Sequence, residues 1–322
     1  MAATLVVGGG GFIGSHLVLK LLESGRKNIK VIGRGTQPRF ALPNEVSYIS
    51  GDISNEHFVR SLLTDGDEVI DLAYSSVPKT SFEDPVRDVL ENLPSTVTLI
   101  KIASEYNLKR FVLLSTGGAV YGNATYLPID EFHLTNPVSP YGITKLATEK
   151  YALLFHYLNQ LPVIILRPGN PYGPNQLGNL GQGFVASAMF ALLNSTQVNI
   201  FGEFGTIRDY IFIDDLASGV VAALDKGVVG EVYNIGTGIG LNNREVLDAI
   251  VNLPIASNYP LNLLITPLRP FDVAENVLSS AKLTYVSGWR PKVSFNEGLK
   301  ITWAWISQPV FSEVAINADL KK

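Results

Sequence analysis

Two groups of residues in this chain have types and spacings suited to moving a hydride and a proton. Residues 8–14 (GGGGFIG) place glycines at the first, fourth and seventh positions of a turn that follows an apolar run. Tyr141 and Lys145 lie four residues apart, which puts their side chains on one face of a helix. The first group suits a bound dinucleotide. The second suits an alcohol whose proton is taken by a tyrosine.

The glycine turn has a different physical requirement at each of three positions. Gly8 permits the tight bend after the first strand, Gly11 lets the backbone approach a pyrophosphate, and Gly14 lets the following helix pack close to the sheet. The phosphate charge would then face the free N–H groups at the helix N-terminus. A flexible glycine-rich loop is the alternative, which the apolar run before the turn and the helical pattern after it disfavour.

The end of the second predicted strand bears on the choice between NAD and NADP. An acidic residue there would bind the adenine ribose hydroxyls of NAD and repel a 2′-phosphate. This chain has Arg34 between two glycines, and arginine binds phosphate through charged, bidentate hydrogen bonds, which favours NADP. The alternative is that Arg34 lies beside the adenine and NAD binds through backbone groups. Asp52, after the third strand, either accepts a hydrogen bond from the adenine amino group or simply ends a turn.

Tyr141 is the predicted proton-transfer group, and Lys145 is its predicted activator. A free phenol titrates at about pH 10. A neighbouring ammonium and a positively charged nicotinamide ring both favour the phenolate, so we expect the pKa of Tyr141 to be lowered. The phenolate could then take the proton of a sugar or alcohol hydroxyl while hydride leaves the carbon. Taken alone, the pair could also be a chance feature of an amphipathic helix.

These groups need a scaffold, and the first half of the chain alternates strand and helix patterns. Apolar runs typical of strands buried on both faces occur at residues 4–7, 29–32, 46–50, 69–73, 111–115 and 163–166. Helical spacing occurs at residues 12–24, 88–106 and 141–158. The alternation predicts an α/β fold with a doubly wound parallel Rossmann sheet.

The composition changes after Arg167, where glycine and proline become frequent. Residues 168–183 are predicted to form a long loop. We expect residues 1–167 to form the dinucleotide-binding Rossmann domain and residues 168–322 to form a smaller mixed α/β substrate-binding lobe. A strand candidate near residues 231–235 is expected to rejoin the main sheet.

Composition restricts the chemistry and the partners. The 322-residue chain has no cysteine, which excludes disulfides, thiolate nucleophiles and cysteine-based metal sites. Its four histidines lack metal-binding spacing, so no metal site is predicted. A net charge of −4 without a basic run disfavours nucleic acid as a partner. No apolar stretch has membrane-spanning length and no signal peptide is visible, so we expect no membrane contact and a cytoplasmic location.

Several blocks in a fixed order resemble the extended short-chain dehydrogenase/reductases. Within them, the chain is similar to the UDP-glucose 4-epimerase-like members of the NAD-dependent epimerase/dehydratase family, over nearly its whole length. The blocks are residues 8–14, Gly51-Asp52, 115–122 (STGGAVYG), 139–145 (SPYGITK), 166–174 (LRPGNPYGP), 208–215 (RDYIFIDD) and 269–272 (RPFD).

The resemblance implies roles for individual residues. Tyr141, Lys145 and Thr116 would be catalytic. A tightly bound NAD or NADP would contact Gly8, Gly11, Phe12, Ile13, Gly14, Arg34, Asp52, Ile53, Tyr141 and Lys145. A UDP-sugar substrate would contact Ser81, Thr116, Asn170, Phe201, Arg208, Arg269 and Asn276. The two arginines would hold the diphosphate, and Phe201 would lie near the uracil.

One block departs from the family pattern. Relatives usually have Ser or Thr four positions before the tyrosine of the VYG segment, where this chain has Gly117. Thr116 is the expected substitute, donating a hydrogen bond to the 4-oxygen of the substrate. The related 4,6-dehydratases carry an Asp-Glu pair just before VYG, where this chain has Gly118-Ala119. Dehydration is therefore disfavoured.

The residues and the resemblance together predict NAD(P)-dependent epimerisation at C4 of a UDP-hexose through a transient 4-keto sugar. The alternatives are an NADPH-dependent reductase of a nucleotide-linked 4-keto sugar and a non-catalytic sensor of the nicotinamide redox state. In relatives, the residue seven positions after the arginine of the RPxD block lines the sugar pocket near C2, where tyrosine excludes an N-acetyl group. Counting from Arg269 gives the smaller Asn276, so both glucose/galactose and GlcNAc/GalNAc substrates are expected to fit.

The two long predicted helices carry more apolar residues than one buried face requires. These residues are Leu90, Leu93, Val97, Leu99, Ile100, Ile102, Leu146, Tyr151, Leu153, Leu154 and Phe155. Relatives commonly pair these helices with their symmetry mates in a four-helix interface. The resemblance therefore implies an isologous homodimer.

Overall fold

Strands and helices alternate along the chain, as the sequence predicts for an α/β fold. The computed structural model describes residues 2–178, 183–267, 269 and 272–308. The strands are β1 (Thr4–Val7), β2 (Ile29–Gly33), β3 (Ser47–Ser50), β4 (Glu68–Asp71), β5 (Arg110–Leu114), β6 (Val163–Pro168), β7 (Asn170–Tyr172), β8 (Gln197–Phe201), β9 (Ile207–Phe212), β10 (Val232–Ile235), β11 (Gly240–Leu241), β12 (Asn262–Thr266) and β13 (Glu275–Asn276). The helices are α1 (Phe12–Glu23), α2 (Glu56–Leu62), α3 (Pro78–Glu83), α4 (Pro85–Ala103), α5 (Gly117–Val120), α6 (Pro140–Asn159), α7 (Phe184–Leu193), α8 (Ile213–Lys226), α9 (Asn243–Val251), α10 (Ala281–Ser287) and α11 (Phe295–Ile306).

Seven parallel strands form the central sheet, in the order β10-β6-β5-β4-β1-β2-β3. The winding reverses at β1, which has β2 on one side and β4 on the other. This arrangement confirms the predicted doubly wound Rossmann fold. In such sheets the reversal opens a crevice at the carboxyl ends of the strands, where ligands bind.

Neighbouring residues of the strands face two separate apolar layers. On β1, Val6 packs in one layer with Leu17 of α1. Leu5 packs in the other layer with Leu99 of α4 and Ala152 of α6. Because side chains alternate along a strand and both faces are covered by helices, each position must be apolar. This is the physical reason for the uninterrupted apolar runs in the sequence.

A smaller group of strands lies beyond the carboxyl ends of the central sheet. In it β9 pairs with β7, β11 and β13, while β8 pairs with β12. The prediction of an unbroken loop over residues 168–183 is wrong in part, because Asn170–Tyr172 form β7 along β9. A three-residue strand between glycines and prolines has no apolar run that would identify it in the sequence.

The contact between α1 and the glycine turn leaves no space for a side chain at Gly14. A Cβ there would lie 2.3 Å from Gly9 Cα, in backbone that cannot move aside. We expect Gly14→Ala to lower the free energy of unfolding by about 1–3 kcal/mol, measured by chemical denaturation, although alanine is the better helix former. Gly11→Ala is the matched control, because its Cβ would meet only Gly8 O, at 3.4 Å. Equal stability of the two variants would rule out this packing constraint.

Candidate active site

A cavity of about 1080 Å³ opens where the winding of the sheet reverses. Most of the predicted site residues line it. Those of the predicted cofactor set are Gly8, Gly11, Phe12, Ile13, Gly14, Arg34, Asp52, Ile53, Tyr141 and Lys145. Those of the predicted substrate set are Thr116, Asn170, Phe201, Arg208 and Arg269. The fold thus brings residues from both halves of the chain to one space.

The glycine turn fits the pyrophosphate of a dinucleotide. Gly8 has φ +77°, which favours glycine, and a Cβ on it would lie 3.0 Å from Ala73 N. Gly11 is the N-cap of α1 and lines the cavity without blocking it. Within the described residues no side chain caps α1 and no acidic residue lies in its first turn. Its first N–H groups are therefore available to an anion.

Tyr48 fills the position where an acidic side chain would extend from the end of β2. A Cβ on Gly33 would lie 2.5 Å from Tyr48 Oη, and this hydroxyl donates to a backbone carbonyl at 2.8 Å. Arg34 is exposed and lines the cavity. Asp52 also lines it, and its Oδ1 accepts from Ser54 N at 2.9 Å. A phenol and a surface arginine thus replace the acidic residue.

Two serines hold the N-terminus of α6 and so position Tyr141. Ser139 is the N-cap, and its Oγ accepts from Gly142 N at 3.1 Å. Ser81 Oγ accepts from Tyr141 N at 3.2 Å and donates to Pro78 O at 2.8 Å. Ser81 is fully buried and is not part of the cavity wall, because its hydroxyl is used within the protein. Its place is therefore behind Tyr141 and not at the predicted substrate contact.

Burial shifts the pKa values of Tyr141 and Lys145 in the directions that favour their neutral forms. Burial raises the pKa of Tyr141 to about 12, a hydrogen bond with Thr116 opposes this, and the charge of Asp88 adds to it. Burial lowers the pKa of Lys145 to about 8, against the charges of three carboxylates. Among the protein's own groups burial dominates, and Lys145 Nζ donates to Leu114 O at 2.9 Å. The expected lowering of the Tyr141 pKa includes the charge of a nicotinamide ring and stays a prediction.

Thr116 is the hydroxyl that the structure places beside the phenol. It lines the cavity, and its hydroxyl opposes the rise in the pKa of Tyr141. A Cβ on Gly117 would lie 2.4 Å from Leu278 Cδ1 and 3.1 Å from Arg167 O. A Ser or Thr at position 117 would therefore require the buried Leu278 side chain to shift. The glycine and this leucine are thus packed against each other.

Two arginines and an aromatic ring form another part of the cavity wall. Arg269 Cζ lies 4.0 Å from the centroid of the Phe201 ring, and its guanidinium donates to both carboxylate oxygens of Asp272, at 2.8 and 3.0 Å. Burial lowers the pKa of Arg208. No carboxylate in the described ranges forms an ion pair with Arg208, whose Nη1 donates to Ile207 O at 2.8 Å. A half-buried guanidinium without a carboxylate partner in the described ranges favours an anion such as a diphosphate.

Asn170 and Asn276 differ in their access to the cavity. Asn170 lines it, as predicted for a substrate-binding residue. Asn276 is 1% exposed, is not part of the wall, and donates from Nδ2 to Gly117 O at 2.9 Å. It supports the backbone at that glycine and does not take the sugar-lining position obtained by counting from Arg269. Residues 270 and 271, across which that count runs, lie outside the described residues.

Sequence reasoning misses several side chains of the site. Tyr74 contacts both Tyr141 and Lys145. Asp71 is buried beside Lys145. Gln176 lines the cavity, and its buried Oε1 has no hydrogen-bond partner in the part of the chain that the structure describes. Asp71 and Tyr74 could have been found from their place in the sequence, because Asp71 ends β4 and Tyr74 follows it closely, at the carboxyl edge of the sheet.

The described ranges contain neither a metal-ligand cluster nor a membrane-spanning helix. No group of three or more His, Asp or Glu side chains there could hold a metal ion. None of the helices in those ranges has the length and apolar character needed to cross a membrane.

Comparison with known proteins agrees with this geometry. The model of the NAD dependent epimerase/dehydratase family matches residues 4–236. This chain belongs to that family. It is an enzyme of the extended short-chain dehydrogenase/reductase type, as the sequence blocks predict.

Its relatives include several UDP-glucose 4-epimerases. The Thermotoga maritima enzyme, solved with UDP-glucose, has a TM-score of 0.87 and 34% identity, covering 94% of this chain and 98% of that one. The Thermus thermophilus enzyme, solved with NAD, has a TM-score of 0.86 and 33% identity, covering 95% and 99%. The Mycolicibacterium smegmatis enzyme is 33% identical over 305 residues, covering 93% and 96%. The family cofactor is NAD, and the NADP preference inferred from Arg34 has no support among these relatives.

Asp71, at the end of β4, is expected to make the stability of the fold depend on pH. Its Oδ1 accepts from Ala73 N at 3.0 Å, and its buried Oδ2 has no partner among the described residues. Burial raises its pKa from 3.8 to about 6, against the Ala73 bond and the charge of Lys145. Since the folded-state pKa lies above the unfolded one, folding loses stability as pH rises from about 4 to about 6. A shift of this size corresponds to about 3 kcal/mol.

We therefore expect Asp71→Asn to be more stable than the wild type by about 1–3 kcal/mol at pH 8, with the difference closing towards pH 4. Urea denaturation at both pH values measures it. Asp67→Asn is the matched control, because both Asp67 oxygens accept backbone N–H bonds, at 2.7 and 2.9 Å, and the variant should lose stability at both pH values. A difference for Asp71→Asn that does not vary with pH would refute the assignment.

Proposed function

We propose that this chain is an NAD-dependent 4-epimerase of a UDP-hexose. One observation carries the proposal: a single cavity joins a dinucleotide-type glycine turn, two arginines suited to a diphosphate, and Tyr141 with Thr116 and Lys145. The reaction named for the Thermotoga maritima and Thermus thermophilus relatives supports the same chemistry.

The residues of the site suit the two halves of such a reaction. Tyr141 Oη takes the proton of the 4-hydroxyl as hydride leaves C4, while Thr116 holds the 4-oxygen by a hydrogen bond. The Lys145 ammonium stabilises the phenolate. Bound NAD supplies the hydride acceptor and a positive ring that favours the phenolate. Arg208 and Arg269 would keep the diphosphate in place while the 4-keto sugar turns, so that hydride could return to the other face of C4.

Two sugar pairs fall within the proposal, the glucose/galactose and the GlcNAc/GalNAc pair. Gly118 and Ala119 line the cavity and carry no acid, which opposes dehydration. The test is incubation with UDP-glucose, UDP-GlcNAc, UDP-glucuronate and their galacto isomers, without added cofactor, followed by NMR of the anomeric protons. New anomeric signals of the C4 epimer are expected. NADPH consumption with a 4-keto sugar would instead identify a reductase, and no turnover would identify a sensor.

NAD is the cofactor that the site supports best. Glu91 also lines the cavity, and its pKa is lowered by the hydrogen bond from Arg87 and, among its further causes, by the charge of Arg34. A carboxylate near Arg34 opposes an additional phosphate group there. Arg34 then lies beside the adenosine without selecting a 2′-phosphate.

Mass spectrometry of the cofactor released from native protein should therefore find NAD. Arg34→Ala should change the Kd for NAD by less than about fivefold, because an exposed charge contributes roughly 0–1 kcal/mol. Isothermal titration of the cofactor-free protein measures it. Release of NADP, or a much larger loss of NADP affinity in the variant, would contradict the proposal.

We also propose a homodimer through α4 and α6. Leu99, Ile100 and Ile102 of the predicted apolar surplus are buried in the core. Exposed apolar side chains nevertheless remain on the two helices, namely Val86, Val89, Leu90, Ile143, Tyr151, Leu154, Tyr157 and Leu158. They form an apolar surface of the kind that symmetric dimers bury.

Light scattering should show a dimer at micromolar concentration. The double change Leu90→Glu and Leu154→Glu should give a monomer, because it would bury charges in the proposed apolar contact. Tyr285→Glu, on the 90% exposed side chain of α10, is the control and should stay dimeric. A wild-type monomer would show that this face is not an interface.

Tyr141→Phe tests the proposed proton transfer. The variant keeps the ring and the fold but loses the hydroxyl, so kcat should fall roughly 10²- to 10⁴-fold with NAD binding retained. Steady-state epimerisation and NAD titration measure the two quantities. Tyr285→Phe should match the wild type. Near wild-type kcat in Tyr141→Phe would remove this residue from the chemistry.

A further inference from the structure

A second tyrosine, Tyr74, contacts both members of the catalytic pair. It follows β4 closely and lines the cavity. Its ring centroid lies 5.0 Å from that of Tyr141, with the planes at 80°. Lys145 Nζ lies 4.2 Å from the Tyr74 ring centroid. This distance is inside the range of about 6 Å over which an aromatic face attracts an ammonium.

The orientation of Tyr74 is set by a buried acid. Tyr74 Oη donates to Asp88 Oδ1 at 3.3 Å. Asp88 is 1% exposed and also accepts from Thr144 Oγ1, at 2.7 Å, and from Ser76 Oγ. Thr144 directly precedes Lys145 on α6. Asp88 therefore ties the Tyr74 ring to the helix that carries Tyr141 and Lys145.

Lys145 needs this kind of support because its ammonium is buried and sparsely bonded. Its Nζ donates one hydrogen bond within the described residues, to a backbone oxygen at 2.9 Å. Asp71 from β4, Asp88 from α4 and Glu149 from its own helix act on it through their charges. Glu149 forms an ion pair with Arg167, at 2.6 Å. None of these acids forms an ion pair with Lys145 in the described ranges, whereas the aromatic face is in contact.

We propose that Tyr74 is a positioning residue for Lys145, whose ring face stabilises the ammonium and holds it beside Tyr141. The inference rests on the proposed role of Lys145 in 4-epimerisation and deepens it. The ring of Tyr74, and not its hydroxyl, is the part that acts on Lys145. The hydroxyl sets the orientation of the ring through Asp88.

The pH profile separates this role from simple space filling. In Tyr74→Leu the ammonium loses the aromatic face, so Lys145 deprotonates at lower pH. The alkaline limb of kcat/KM should then move down by on the order of one pH unit. Tyr74→Phe keeps the aromatic face and loses the hydrogen bond to Asp88 that orients it, so its limb should move clearly less than that of Tyr74→Leu. A loss that is equal at every pH, or equal limb shifts in both variants, would overturn the proposal.

A second measurement needs no turnover. NMR of ¹⁵N-labelled lysine Nζ, with the Lys145 signal assigned from Lys145→Arg, follows the titration of this ammonium directly. Phenylalanines with increasing ring fluorination at position 74 weaken the attraction of the aromatic face for the ammonium at nearly constant ring size. This series keeps the test available if Tyr74→Leu does not fold. The Lys145 midpoint should fall stepwise with fluorination, and a constant midpoint refutes the proposal. A falling midpoint in a protein that epimerises no sugar would refute the proposed function and leave this inference standing.

Discussion

The reversal of winding at β1 is the constraint on which the site depends. Right-handed crossovers place α1 on one face of the sheet and α4 and α6 on the other, so the chain leaves β1, β4 and β5 into a shared crevice. The glycine turn, Tyr74 and Thr116 follow these three strands directly. The close packing at Gly14 then sets how near α1, and any phosphate at its N-terminus, lies to the strand ends.

Burial dominates the electrostatics of the chemical step. It favours a neutral phenol at Tyr141 and weakens the charged form of Lys145. The protein offsets the second effect with nearby acids and an aromatic face. At Tyr141 the effect of burial is opposed by Thr116 and reinforced by Asp88. In the proposed reaction, the positive ring of bound NAD would favour the phenolate and so would couple proton removal to the oxidised cofactor.

Much of the central sheet could be predicted from the sequence, because strands covered on both faces must be apolar. The predicted runs match β1 to β6 to within two residues at each end. The short strands β7, β11 and β13 could not be predicted, because each forms only by pairing with β9, which is distant in the sequence. Among site residues, Ser81 and Asn276 were misplaced for a similar reason: the hydroxyl and amide are used by backbone atoms from other elements. Two further features of the site are not visible in the sequence. One is the burial that raises the pKa of Tyr141, and the other is the position of the Tyr48 hydroxyl beside Gly33.

The central claim is that hydride leaves C4 and returns to the same carbon within one closed site. Native enzyme incubated with UDP-glucose deuterated at C4, in ordinary water and without added cofactor, tests it most directly. The account predicts UDP-galactose that keeps the deuterium at C4, with no label in the solvent and no free NADH. If UDP-GlcNAc is the preferred substrate, its C4-deuterated form should give labelled UDP-GalNAc in the same way. Product with hydrogen at C4, or label lost to water, would contradict it.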